Sequence, residues 1–231
     1  TRGCRFCSVK SAKNPGALDA EEPKKLAETV EKMALKYVVL TTVDRDDLPD
    51  QGASHIARCI RSTQRACPEM LIEMLMPDFQ GKTELVQQII NARPAVLAHN
   101  LETVRRLTEK VRDSRAGYDQ SLDVLRYLKQ NCPDGYTKSS LMLGVGESRT
   151  ETLQAMKDLR NVGVDFLTIG QYLQPSKKHL KVEKFVPPEE FDELALHGDK
   201  MGFEYVASGP LVRSSYKAAE FYIERKIRGK A

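Results

Sequence analysis

The chain has 231 residues, 41% of them apolar and 29% charged, which is enough for one domain with a buried core, and no apolar run is long enough to span a bilayer. Its 36 Lys and Arg against 32 Asp and Glu leave a formal charge of +4, too weak a bias to point to nucleic acid but compatible with an acidic protein partner. Five cysteines, an odd number scattered at positions 4, 7, 59, 67 and 132, do not form the framework of a secreted disulfide domain and suit a reducing compartment.

The first seven residues, Thr1-Arg2-Gly3-Cys4-Arg5-Phe6-Cys7, put two thiols three positions apart beside two arginines. Such a pair can close on one metal centre, and nearby positive charge favours the thiolates needed there. By itself it is half of a zinc site, a redox dithiol, or the last two members of a Cys-x-x-x-Cys-x-x-Cys run whose first cysteine falls just before Thr1.

After the turn Asn14-Pro15-Gly16, acidic residues and Pro23 open a helix reaching about Lys36, with Leu26, Val30, Met33 and Ala34 on its buried face. The β-branched run from Tyr37 to Val43 predicts a buried parallel strand that breaks into the charged cluster 44–52. The same unit repeats as a helix over 53–65 and a strand over 70–76, then a helix over 83–91 and a strand over 95–98 that runs into His99-Asn100-Leu101-Glu102-Thr103. Helices over 104–111 and 120–129 precede a strand from Lys138 to the glycines at 144 and 146, and a helix over 150–162 returns to a strand over 166–172. Five strands alternating with helices predict a parallel α/β architecture, either an open doubly wound sheet or a barrel. Beyond Tyr172 the period fades into the basic run Lys177-Lys178-His179-Leu180-Lys181, a helix over 189–201, and a last helix to about Ile227. Cys59 reads as a small core residue, as do Met70, Met74 and Met76, and the four histidines lie too far apart in sequence to suggest a zinc or acid–base constellation.

The flanking letters of the cysteine pair, Thr-Arg-Gly-Cys-Arg-Phe-Cys-Ser-Val, resemble the cluster loop of the radical S-adenosylmethionine (SAM) enzymes in the form carried by lipoyl synthases. The resemblance extends over the chain through Thr41 to Asp50, His99 to Val104, Gly170 to Ser176 and Arg213-Ser214-Ser215-Tyr216. It implies a partial (β/α)6 barrel in one domain over 1–231, with its first strand and an N-terminal cluster arm upstream of Thr1, and a C-terminal extension over about 203–231. It also implies two 4Fe-4S clusters in the intact protein, one binding SAM and one serving as sulfur source. The reaction implied is insertion of two sulfur atoms at C6 and C8 of an octanoyl chain on a carrier-protein lysine. Carriers of this type are E2 subunits of 2-oxoacid dehydrogenases and the glycine cleavage H protein, with an electron donor such as ferredoxin or flavodoxin, and with no role for nucleic acid or membrane. The compartment implied is the mitochondrial matrix in a eukaryote or the cytoplasm in a bacterium.

Under that resemblance Cys4 and Cys7 are cluster ligands, and one serine of the tail motif, Ser215 or Ser214, ligates an iron of the second cluster. The polar residues at strand ends are candidates for SAM: Asp44, Thr41 and Thr42 for the amine, Asn100 and Glu102 for the ribose, and Lys138 or Ser140 for the carboxylate. Two other readings stay open, a metal-binding or electron-transfer module using Cys4 and Cys7 without SAM chemistry, and another sulfur-inserting enzyme of the biotin synthase kind.

Overall fold

The computed structural model describes residues 1–214 and 217–229, with side chains undescribed over 217–222. Six strands run parallel in one sheet in chain order: β1 (Tyr37–Thr41), β2 (Leu71–Leu75), β3 (Val96–Ala98), β4 (Tyr136–Leu143), β5 (Phe166–Gln171) and β6 (Tyr205–Gly209). Among the described residues β1 and β6 are the free edges, so the barrel is partial. The helices are α1 (Glu22–Met33), α2 (Ala53–Ala66), α3 (Thr83–Ile90), α4 (Thr108–Val111), α5 (Tyr118–Asn131), α6 (Arg149–Asn161), α7 (Pro188–Met201) and α8 (Lys217–Arg228).

Alternation along each strand sorts the core into two shells. Ile72, Met74, Leu97, Leu167 and Ile169 point outward to the helices and are almost fully buried there. At about 1.5–3 kcal/mol for each fully buried side chain of this size, this shell is the main driving force for wrapping helices around the sheet. Tyr37, Val96, Tyr136, Phe166 and Ala207 point inward and form a second cluster, in which the rings of Tyr136 and Phe166 stack with centroids 4.9 Å apart. α6 starts with a capping box in which the Ser148 side chain and Glu151 exchange hydrogen bonds with each other's backbone N–H.

The tail closes the barrel from inside. After β6 the Val212 N–H donates to the Gly209 carbonyl (3.0 Å) and the Val212 side chain joins the inner cluster. The approach is so close that a Cβ at Gly170 would lie 2.0 Å from the Val212 carbonyl oxygen, which only glycine permits. Lys138 Nζ donates to the Ser214 carbonyl (2.7 Å), Ile223 of α8 is buried in the inner cluster, and Arg228 reaches the Glu69 carbonyl (2.9 Å) just before β2. The tail thus passes from the carboxyl end of the strands to their amino end.

Two sequence expectations change, and one lies beyond what the structure describes. The sheet has six strands within residues 37–209 where five were expected, and the sixth lies in the segment read as a C-terminal extension. In Tyr205-Val206-Ala207-Ser208-Gly209 only Val206 and Ala207 are buried, so the apolar pattern of this edge strand is too thin to stand out. The helix expected over 104–111 is a 3-10 turn, Arg105–Leu107, followed by the single turn of α4. Ser215 and Tyr216 of the tail motif lie outside the described residues.

Candidate functional site

The cysteine loop is fastened to the carboxyl ends of two strands by one side chain. Arg2 donates to both oxygens of Asp78 (2.8 and 2.7 Å), just after β2, and to Asp46 (2.9 and 3.2 Å), after β1, while its Nε lies 3.4 Å from Asp44. Burial opposes ionisation at Asp46 and Asp78, but the hydrogen bonds from Arg2 overrule it and hold both carboxyls below the usual range. The other flank is tied to the segment between α4 and α5. Gly3 N–H donates to Asp113 (2.8 Å), Arg5 N–H to the Val111 carbonyl (2.9 Å), and Asp113 N–H to the Cys4 sulfur (3.3 Å). Burial pushes the Cys4 thiol up, against the Asp113 N–H and the Arg112 charge, which favour its thiolate.

Behind the loop lies a cavity of about 190 Å³, open to solvent and lined by Cys4, Cys7, Thr42, Asp44, Asn100 and Glu102 among others. Glu102 sits in the left-handed region with φ +70°, rare for a residue with a side chain; its N–H donates to the Ser140 carbonyl (2.9 Å) and its carbonyl accepts from Met142 N–H (2.8 Å). That bridge to β4 holds the carboxyl at the cavity, where it accepts from Asn100 Nδ2 (3.0 Å). Burial raises the pKa of both Glu102 and Asp44, with Arg112 and Arg2 respectively pulling the other way.

Arg112 is buried at the cavity wall, donates to Ser121 Oγ (2.8 Å), and forms no ion pair among the described residues. Ser121 lies 2.9 Å from His99 Nε2, and His99 Nδ1 lies 3.0 Å from the Met76 carbonyl. A carbonyl only accepts, so Nδ1 carries the proton and Nε2 accepts from the serine hydroxyl. Burial pushes the His99 pKa down to about 4, which keeps the ring neutral.

Of the residues singled out from sequence, Cys4, Cys7, Thr42, Asp44, Asn100 and Glu102 meet at one cavity, and four lie elsewhere. Thr41 is exposed at the end of β1 and lines a neighbouring pocket with Cys59. Ser140 is buried in β4. Lys138 is sealed inside the barrel with Glu73, and Ser214 stands at that interior pair. His99, next to Asn100 in sequence, bonds Met76 and Ser121 instead. Sequence reading took Arg2 only as positive charge beside the thiols and gave no role to Asp78 or Arg112. Glu22, His55 and Cys59 also bring ligand atoms within 4.8 Å of one another. There Arg58 donates to His55 Nδ1 (3.1 Å), which leaves the Nε2 proton for Glu22 (2.6 Å), so Glu22 and His55 form a hydrogen-bonded link between α1 and α2, while burial raises the Cys59 thiol to about 11.

The fold and the site define a class of protein: a partial parallel barrel with paired cysteines on the loop at its mouth. The family model of the radical SAM superfamily matches residues 1–170. Solved structures of like fold include HydG, a maturase of the FeFe-hydrogenase (TM-score 0.70, 16% identity, covering 97% of this chain and 52% of that one), and methylornithine synthase (TM-score 0.59, 15% identity, 100% and 78%). Much nearer in sequence are the lipoyl synthase of Thermus thermophilus, 54% identical over 99% of this chain and 71% of that relative, and the mitochondrial lipoyl synthase of Branchiostoma floridae, 52% identical over 100% and 61%. The chain belongs to the lipoyl synthase family of the radical SAM superfamily. It spans about three fifths of the Branchiostoma relative's length.

The residues fit the cofactors of that superfamily. Soft thiolates are the ligands an iron–sulfur cluster takes, and Cys4 and Cys7 are the two cysteines on the cavity. Asp44 and Glu102 are half-buried acids whose ionised forms gain from a cation, as the SAM amine and sulfonium provide. Arg112 offers a cation that forms no ion pair among the described residues, suited to a carboxylate.

Proposed function

We propose that this chain is the catalytic barrel of a lipoyl synthase, acting in a longer protein to insert two sulfur atoms into an octanoyl chain on a carrier-protein lysine. The observation that carries the reading is the convergence of Cys4, Cys7, Asp44, Asn100 and Glu102 on one cavity at the carboxyl ends of the strands. Cys4 and Cys7 would hold a 4Fe-4S cluster, with a third thiolate from the position before Thr1 in the family's spacing. With SAM bound, that cofactor pair supplies one-electron cleavage of the sulfonium and a carbon radical for hydrogen abstraction.

The chain's own residues orient and shield. Asp44 takes the SAM amine, Glu102 with Asn100 takes the ribose hydroxyls, and Arg112 takes the carboxylate in place of Lys138 or Ser140. Arg2 keeps the cysteine loop in register with both strand ends, while the strained backbone at Glu102 aims its carboxyl. In the tail, Ser215 or Ser214 would ligate the second cluster, a hard oxygen donor on a centre that must give up iron and sulfur. Partners are an octanoylated carrier domain, of an E2 subunit or H protein, and a low-potential electron donor such as ferredoxin or flavodoxin. The Branchiostoma relative is named mitochondrial and the Thermus relative is bacterial, which supports the mitochondrial matrix for a eukaryotic chain and the cytoplasm for a bacterial one.

The test is conversion of an octanoylated lipoyl domain by a form extended upstream of Thr1, read by mass spectrometry. The extended form makes lipoyl product; residues 1–231 alone do not, and restoring only the cysteine before Thr1 recovers SAM cleavage without sulfur insertion. Equal conversion by residues 1–231 alone overturns the division of labour. Ser215→Ala in the extended form keeps SAM cleavage and loses product; normal product from both Ser214→Ala and Ser215→Ala reduces the two serines to a helix cap.

A further inference from the structure

We infer that two interlocked loops around Cys7 form the docking surface for an acidic electron-carrier protein, an inference that rests on the function proposed above and gives its electron donor a place. Residues 1–18 contain Arg2, Arg5, Lys10 and Lys13 and no acid, and residues 172–187 contain Lys177, Lys178, Lys181 and Lys184 against Glu183 alone. These two segments therefore carry +7 in a chain whose net charge is +4, and the remainder is net −3. The weak overall bias hides a strong local one.

The structure joins the two segments. Leu180 N–H donates to the Arg5 carbonyl (3.1 Å), and His179 Nε2 lies 2.9 Å from the Cys7 carbonyl. Arg5, Lys10, Lys13, Lys177, Lys178 and Lys181 are exposed, and none makes an ion pair among the described residues. Val9, Leu173 and Phe185 are exposed in the same segments, with Phe185 at 70%. Unpaired cations around a few apolar side chains make a surface complementary to an acidic protein face.

The position of Cys7 selects the partner. Cys4 is half-buried and accepts from the Asp113 N–H, whereas Cys7 is exposed and its carbonyl meets His179 of the second cationic segment. Cys7 borders the cavity and is also exposed, so substrate and SAM belong inside the cavity while an electron arriving from solution meets the cluster across the exposed loop that carries Cys7. The step is balanced simply: the reduced carrier loses one electron and the cluster gains it, with no atom transferred. Electron carriers use small, short-lived, charge-steered interfaces, and long hydrated lysines suit steering better than tight packing.

The test uses the extended, cluster-loaded protein with an acidic 2Fe-2S ferredoxin as probe. The charge reversal Lys177→Glu/Lys178→Glu/Lys181→Glu should weaken ferredoxin binding by about tenfold or more in calorimetry and flatten its salt dependence. The milder Lys10→Gln/Lys13→Gln variant should give a smaller loss in the same direction. SAM cleavage should slow when driven by reduced ferredoxin and stay unchanged when driven by dithionite, which needs no docking. Unchanged ferredoxin affinity in both variants overturns the inference, as does a loss confined to binding of the octanoylated carrier domain or of duplex DNA. Absence of dithionite-driven cleavage in the unmodified protein would count against the proposed function, while the binding measurement would still decide the docking surface.

Discussion

Lys138 Nζ lies 2.7 Å from Glu73 Oε1 inside the barrel, and both side chains are about 2% exposed or less. Tyr37 donates its hydroxyl to the other oxygen of Glu73 (2.6 Å), and Lys138 also donates to the Ser214 carbonyl, so this buried pair is fully engaged and reaches the tail. Removing one partner strands a charge in the interior. Lys138→Met should therefore lower the unfolding free energy by about 3–5 kcal/mol in urea denaturation, and Glu73→Gln/Lys138→Met should recover most of it. Equal losses in the single and double variants would show that packing, not charge pairing, sets the cost.

Arg2→Lys tests the fastening of the loop. Lysine keeps the charge but cannot span Asp78 and Asp46 with paired N–H groups. In the extended protein, iron and sulfide bound after reconstitution should fall while the melting temperature of the barrel changes little. Full iron content would show that the contacts to Val111 and Asp113 suffice.

Asp44→Ala, Asn100→Ala and Glu102→Ala should each weaken SAM binding to the cluster-loaded protein and leave iron content intact. A lost charge-assisted hydrogen bond costs about 1.5–3 kcal/mol, or roughly tenfold or more in affinity. Calorimetric titration measures it, and unchanged affinity in all three would mark this wall of the cavity as merely solvated.

His99 gives a pH dependence. Its pKa, about 4 when folded, lies below the unfolded value of about 6.5, so the unfolded state binds more protons between those pH values. The stabilisation is full above pH 6.5 and is lost as pH falls toward 4, by up to about 3 kcal/mol. The groups facing the ring are Asp78, Arg112 and Arg2. The carboxyls of Asp46 and Asp78, held below the usual range, act in a more acidic window. Urea midpoints between pH 7.5 and 4.5 should drop in the native chain and drop less in His99→Gln.

The parts of this molecule legible in sequence were those with local periodicity. The run from Tyr37 to Thr41 and the Leu71–Leu75 segment, interrupted only by Glu73, are mostly apolar stretches, and α2 shows its buried stripe plainly. The site was legible where a strand ends in polar residues, at Asp44 and at Asn100 to Glu102. Arg112 was ambiguous because its role depends on a turn between α4 and α5 that folds it inward, and no local signal reports that. Lys138 misled for the opposite reason: a lysine in a strand reads as reaching for solvent or a ligand, and its partner Glu73 is 65 residues away. The cationic loops were visible as a run of lysines, but their meeting at Cys7 is a tertiary fact.

Gly170 gives the tail an unusual kind of address. The Val212 carbonyl occupies the space a methyl group at 170 would need, so the tail is located by a missing side chain on β5, 42 positions upstream of it. A single added carbon there acts as a wedge: it leaves the ladder between β4 and β5 paired and pushes the segment leading to Arg213 and Ser214 off its seat. The barrel and its tail can therefore be uncoupled at residue 170 without touching either the cysteine loop or the serines.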